Sequence, residues 1–370
     1  MGGYAHALSH AIKEINARFG KNSVMQLGDQ HFGEVRTTPS GALTLDVALG
    51  GGYPVGRVVE ISGPEASGKT TLALHAMAEV QRRGGKVALI DAEHAFDTAF
   101  AERLGLDTSQ LYLCQPDSGE MALEVADSLM RSGAVDMVAV DSVAALVPRA
   151  ELEGEIGQTQ IGSQARLMSS ALRKIAGNAS RHNCTIIFLN QIRLKVGVIY
   201  GNPETTSGGM ALKYYASVRL EVRLKDKIVQ GGVQTGVRIK AKCTKNKVAP
   251  PYRLAEFDIL FGGGIHGAGC ALDAAEKVGV VSRRGAYYYL REERLGQGRE
   301  RALEYLAQHP DVLNEIETRT REALQGGAAT TLPANAAEDD DDAFPMEEEE
   351  EEQGPVTDGA NLTPATTAAL

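Results

Sequence analysis

The segment from Arg57 to Thr71 constrains this chain more than any other. Gly63, Gly68, Lys69 and Thr70 fit the pattern G-x-x-x-x-G-K-[ST]. The apolar run ahead of it, residues 57–62, reads as a short buried strand, and residues 71–83 behind it read as a helix. A glycine loop between strand and helix turns its backbone N–H groups, and the positive end of the helix dipole, toward an anion. In such a loop Lys69 reaches the outer phosphates of a nucleoside triphosphate and the Thr70 hydroxyl ligates Mg2+. The chain is therefore expected to bind a triphosphate at the end of a sheet strand.

With 370 residues, 43% of them hydrophobic, the chain can bury a large core. No apolar run approaches the roughly 20 residues that cross a bilayer, and the first residues lack a signal-peptide stretch, so a soluble protein is expected. Cys114, Cys184, Cys243 and Cys270 are scattered without metal-ligand spacing and read as reduced residues of a cytosol-like compartment. The net charge of −10 divides unevenly. From Gly326 onward there is no Lys or Arg while Asp and Glu contribute twelve negative charges, so the body without that tail stands at +2. A mildly basic body with an acidic, disordered tail suits a nucleic-acid binder whose tail competes with phosphates. A tail that only keeps the chain soluble is the alternative.

Leu8, Ile12, Ile15 and Phe19 fall on one face of a helix over residues 4–19, which could fold onto its own core or dock on a second copy. After a short glycine-stopped helix within residues 40–50, apolar strands at 86–91, 111–114, 135–141 and 185–190 alternate with helices at 95–104, 119–131 and 163–179. That alternation predicts an α/β fold with a mainly parallel central sheet covered on both faces. Residues 216–224, 237–243 and 257–261 alternate apolar with polar and are expected to extend one edge as antiparallel strands. Beyond Gly264, a helix at 271–278, a hairpin at 280–290 and helices at 299–307 and 310–324 make a small α+β domain. It is rich in Arg283, Arg284, Arg291, Arg294, Arg299 and Arg301. The expected divisions are an N-terminal arm (1–35), a core (36–265), a C-terminal domain (266–325) and an acidic tail (326–370).

In a parallel sheet, functional groups gather at the carboxyl ends of the strands. Asp141 ends the apolar run 135–140, where its carboxylate can hold Mg2+ through water. Glu93 ends another and can orient the water that attacks a γ-phosphate. Asn190 and Gln191 end a third, with amides able to sense that phosphate and move the segment after them. That segment, residues 193–209, is a long loop with glycines and hydroxyls that begins with Arg193 and Lys195. It suits a phosphodiester backbone contacted without reading its sequence. A second glycine-punctuated loop, 153–162, precedes a helix bearing Arg166, Arg173 and Lys174, but its acidity alone does not suggest DNA.

Five blocks together resemble the bacterial RecA recombinase family over about residues 12–324: Gly63-Pro-Glu-Ala-Ser-Gly-Lys-Thr-Thr71, Asp91-Ala-Glu-His-Ala-Phe-Asp97, Val140-Asp-Ser-Val-Ala-Ala-Leu-Val-Pro-Arg-Ala150, Gly201-Asn-Pro-Glu-Thr-Thr206 and Lys245-Asn-Lys-Val-Ala-Pro250. The resemblance implies a RecA-type phosphate-loop ATPase core with ATP and Mg2+ as cofactors. Gly63, Pro64, Glu65, Ala66, Ser67, Gly68, Lys69, Thr70, Thr71, Asp97 and Asp141 would surround the nucleotide. Phe100 and Phe261 stand where the family usually carries tyrosines near the adenine. Thr70 and, through water, Asp141 would hold the metal, Glu93 would be the catalytic glutamate, and Gln191 would link the γ-phosphate to the DNA loop. Lys245 and Lys247 would reach the ATP of a neighbouring subunit. The loops 153–162 and 192–209 become DNA-binding loops, with Arg166, Ser169, Arg173, Arg193, Lys195, Gly208 and Gly209 at the DNA, and Met210 where a polar residue is usual. The N-terminal helix becomes an arm packed on the next protomer, and the C-terminal domain a collector of duplex DNA.

The expectation is an ATP-dependent recombinase that forms helical filaments on single-stranded DNA and exchanges strands with duplex DNA in repair. Activation of a LexA-type repressor in the SOS response would accompany it. The compartment would be the bacterial cytoplasm, or a plastid stroma were the source eukaryotic, with no membrane partner. A hexameric helicase-like ring motor on the same core and an ATP-bound scaffold without hydrolysis are the competing readings. The arm, Lys245 and Lys247 in the place of an arginine finger, and the C-terminal domain all disfavour the ring.

Overall fold

The computed structural model describes residues 2–20, 23–24, 35–154, 162–194 and 203–326. The acidic tail past Gly326, and residues 155–161 and 195–202 of the two expected DNA loops, including Lys195, lie outside the described residues.

One sheet organises the chain. Across it the strands run Gly264–Ile265, Leu254–Leu260, Val233–Asn246, Val218–Gln230, Val58–Gly63, Thr185–Leu194, Met137–Asp141, Val87–Asp91 and Leu111–Cys114. From Val218–Gln230 to Leu111–Cys114 all neighbours are parallel, and the three strands on the other side are antiparallel; the stretch 216–224, expected among the antiparallel strands, instead runs parallel to Val58–Gly63, and the antiparallel pairing starts beyond it. The strand Val58–Gly63 lies near the middle and is buried along its whole length. Side chains alternate between two cores: Val87 and Leu89 face one with Leu72 and Met77, while Ala88 and Ile90 face the other with Ala126, Leu172 and Phe188. The helix Lys69–Arg82 covers the first face, and Gly119–Arg131 with Ser163–His182 covers the second.

Strand register decides which residues share a rim. Gly63 lies level with Gln191, and Asp91 lies level with Asp141. The phosphate loop and the strand-end residues therefore emerge side by side.

Elsewhere the structure departs from the sequence pattern. The helix expected from Ala95 begins at Thr98, because the Asp91 carboxylate first accepts the N–H groups of Ala95 and Phe96 at 3.2 Å each. The loop expected after Gln191 starts as a ribbon, with Ile192 to Leu194 paired antiparallel to Glu204–Thr206. The C-terminal domain holds three strands, Val281–Arg284, Tyr287–Leu290 and Glu293–Gln297, the last missed because its charged residues carry no apolar alternation. Of the arginines of this domain, Arg299 is half-buried. It bonds Asp273 at 2.9 and 3.0 Å and Asp258 at 3.1 Å, tying this domain to the core sheet. The helix Gly2–Phe19 is not taken up by that core: Leu8 is 63% and Phe19 68% exposed.

Candidate active site

The phosphate loop makes its turn with two left-handed residues, Ala66 at φ +57° and Gly68 at φ +86°. The positive φ favours glycine at position 68, where a Cβ would also stand 2.7 Å from Ile259 Cδ1 and push that side chain aside. Lys69 opens the helix, and its ammonium donates to the carbonyls of Gly63 at 3.0 Å and Pro64 at 2.6 Å. Burial lowers its pKa, against the pull of Asp141 and Glu93. Thr70 Oγ1 donates to Asp141 Oδ2 at 2.7 Å, so the two expected metal-holding groups meet across the strand ends. Burial pushes the Asp141 carboxyl up to about 6; the Thr70 hydrogen bond opposes this, and Glu93 and Asp91 add to it. One hydroxyl and one carboxylate beside a phosphate loop match Mg2+, which takes few protein ligands and completes its shell with phosphate and water.

Glu93 lies on the same rim. Its Oε1 accepts from Ser142 Oγ at 2.5 Å and Gln191 Nε2 at 3.0 Å. Its Oε2 has no partner among the described residues. Three strand ends are thereby joined through one carboxylate. Ser142 is a contact that sequence reading did not assign, although its place directly after Asp141 was a signal. Asn190, expected beside Gln191 at the phosphate, turns inward instead, because alternate residues of a strand face opposite ways.

A cleft of about 360 Å³ opens between residues 66–71 and a wall of Phe100, Val237, Ile259, Leu260, Phe261 and Gly262. Phe261 is 59% exposed, a free aromatic face beside the loop. Asp97 caps the helix Thr98–Arg103, accepting the Phe100 N–H at 3.0 Å, and holds Phe100 at this wall.

Lys245 and Lys247 do not reach this loop within one chain. Lys245 lies level with Arg219, which lies level with Glu60, while Lys247 follows Asn246 at the level of Val218, toward the start of the central strand. The Lys245 ammonium donates to the carbonyls of Lys213 at 2.6 Å and Tyr214 at 3.0 Å, and burial together with Lys247 lowers its pKa.

The described residues expected at DNA lie on the helix Ser163–His182 and on the segments that flank residues 195–202. Arg166, Ser169 and Arg173 recur at helical spacing on Ser163–His182, with both arginines exposed. Gly209, at φ +75°, approaches the same helix so closely that a Cβ would stand 2.7 Å from that of Ala165. Gly208 is buried against Val143 and Met168, and Arg193 is exposed at the ribbon's base. Met210, also exposed, comes directly after Gly209.

Comparison with known proteins agrees with this arrangement. The RecA N-terminal domain matches residues 6–266 and the RecA C-terminal domain residues 269–325. "Protein RecA" of Synechococcus sp. (strain WH7803) is 58% identical over 325 residues, covering 88% of this chain and 85% of that protein. "Protein RecA" of Arthrospira platensis is 57% identical over 325 residues, covering 88% and 89%. That of Prochlorococcus marinus (strain MIT 9303) is 58% identical over 325 residues, covering 88% and 86%. The chain belongs to the RecA family: it is an ATP-binding, DNA-dependent ATPase that forms filaments on DNA and acts in homologous recombination, DNA repair and the SOS response.

Proposed function

We propose that the loop Gly63 to Thr71 holds the phosphates of ATP, with Lys69 leaving its two carbonyls to meet them. Thr70 and, through water, Asp141 are the groups that would hold Mg2+. When bound there, the ion neutralises charge on the phosphates. Glu93 orients the attacking water and takes its proton on the oxygen that Ser142 and Gln191 leave open. Phe100 and Phe261 flank the base, and Asp97 serves by fixing Phe100. Gln191 carries the presence of the γ-phosphate to the segment that faces DNA, where Arg166, Ser169, Arg173, Arg193, Lys195, Gly208 and Gly209 bind backbone phosphates. Lys245 and Lys247 complete the nucleotide site of the next subunit in the filament. The observation that carries this reading is the Gln191 to Glu93 hydrogen bond at 3.0 Å, which joins the hydrolytic carboxylate to the root of the DNA-facing ribbon.

The same reading assigns residues 1–35 to the polymerisation arm, 36–265 to the ATPase core, 266–325 to duplex-DNA capture and 326–370 to a regulatory tail. A LexA-type repressor is the proposed protein partner. The compartment is the bacterial cytoplasm: the relatives compared are bacterial, no described helix is long and apolar enough to cross a membrane, and the plastid alternative finds no support.

The test is ATP hydrolysis with and without single-stranded DNA, for the parent chain and for Lys69→Ala. The parent should hydrolyse ATP faster as DNA is added, and Lys69→Ala should lose both hydrolysis and strand exchange. Hydrolysis retained in Lys69→Ala would show that the site is misplaced.

A further inference from the structure

Glu60 sits in the middle of the central strand, with none of its surface exposed. A carboxylate there is costly unless both oxygens are hydrogen-bonded. Both are. Oε2 accepts from Arg219 Nε at 2.7 Å, on the parallel strand to one side, and Oε1 accepts from Asn190 Nδ2 at 3.0 Å, on the strand to the other. Asn190 is equally buried, and its amide is fully used. Nδ2 also donates to the Ser207 carbonyl at 3.0 Å, while Oδ1 accepts the Gln191 N–H at 2.9 Å. The amide can stand only this way round, since reversal would set its oxygen against a carboxylate and a carbonyl. Ser207 is where the DNA-facing segment rejoins the body, directly after the strand Glu204–Thr206. Gln191 is where that segment leaves it.

We propose that Glu60 is a positioning residue for the coupling of nucleotide to DNA: through Asn190 it fixes the spacing between the Gln191 strand end and the return of the DNA-facing segment at Ser207. This rests on the reading of Gln191 as the group that responds to the γ-phosphate. The two N–H groups of Asn190 are committed to acceptors on different elements, so a movement of the Gln191 strand end passes to Ser207 instead of being absorbed by a loose side chain. A carboxylate is needed at residue 60 because it accepts from Arg219 and Asn190 at once and offers no proton. Glu60→Gln keeps the volume but sets an NH2 group against one of those two donors. Asn190 then has to turn, and it gives up Ser207 or Gln191 in turning.

The experiment measures ATP hydrolysis across a single-stranded DNA titration, with ATP affinity and melting temperature, for the parent, Glu60→Gln and Gln191→Ala. Glu60→Gln should bind ATP within about twofold of the parent while its DNA-stimulated rate falls about tenfold or more, as misplacement remote from the chemistry does. A second variant, Glu60→Met with Arg219→Met, replaces the buried pair by apolar volume of similar size, a change that tends to preserve stability. It should show the same split between retained ATP binding and lost stimulation. A parental DNA titration in either folded Glu60 variant, with Gln191→Ala impaired, would overturn this proposal alone. Full stimulation in Gln191→Ala would overturn the reading beneath it and the proposal together.

Discussion

Glu93 shows how much of the site depends on single atoms. Its Oε1 is shared by Ser142 and Gln191, which leaves the other oxygen for the water that the proposed function assigns to it. Glu93→Gln keeps the size and removes the base, so the hydrolysis rate should fall about 100-fold or more while ATP affinity stays near the parental value. Steady-state rates beside an equilibrium nucleotide titration check this; equal losses in both would make Glu93 a binding residue. The position of Glu93 was legible in the sequence because an apolar run ending in a carboxylate places that group on the sheet rim. Its partners were not, since they come from strands about fifty and a hundred residues away and meet only through register. Glu60 is the converse case: the strand around it was legible, but the role of its carboxylate was not, because its partners Arg219 and Asn190 come from strands far along the chain.

Among the elements, the helix Leu43–Leu49 is buried at every residue, Asp46 included. Asp46 accepts from Ser40 N at 2.7 Å and Ser40 Oγ at 2.6 Å, and Arg321 of the last helix approaches it at 3.4 Å. Burial pushes its carboxyl up to about 6, against those hydrogen bonds and Arg321, with Glu79 adding to the rise. A folded pKa above the unfolded value of 3.8 means that the native state holds this proton more tightly. Its contribution to stability is therefore full below about pH 4 and is lost as pH rises through about 6. Asp46→Asn should remove that loss, so denaturant midpoints of the variant and the parent should diverge between those two pH values. Parallel curves would contradict it. Element positions were the most legible feature of the sequence, because continuous apolar strands alternating with helices leave little choice beyond a parallel sheet. Element ends were less so, since side chains such as Asp91 and Asp97 set them through bonds to backbone N–H groups.

For the whole molecule, the apolar face of the N-terminal helix is left open, and Lys245 and Lys247 sit away from their own phosphate loop. On the proposed reading, a neighbour in a head-to-tail filament completes both features. The proposed role of the acidic tail belongs to the same scale. Cutting after Leu324 removes twelve negative charges, which should strengthen duplex-DNA binding and lower its magnesium requirement, as expected when a tethered polyanion competes with phosphate. An unchanged salt titration would leave the tail a solubilising role.

The shared site itself can be tested by mixing two inactive subunits. Lys69→Ala lacks a working phosphate loop, and the double variant Lys245→Ala, Lys247→Ala lacks the lysines offered to the neighbour. Each alone should hydrolyse almost no ATP on single-stranded DNA. In an equal mixture, about one interface in four of a head-to-tail filament pairs an intact loop with intact lysines, so hydrolysis should return to about a quarter of the parental rate. No recovery on mixing, or full activity in the double-lysine variant alone, would contradict a nucleotide site built from two subunits.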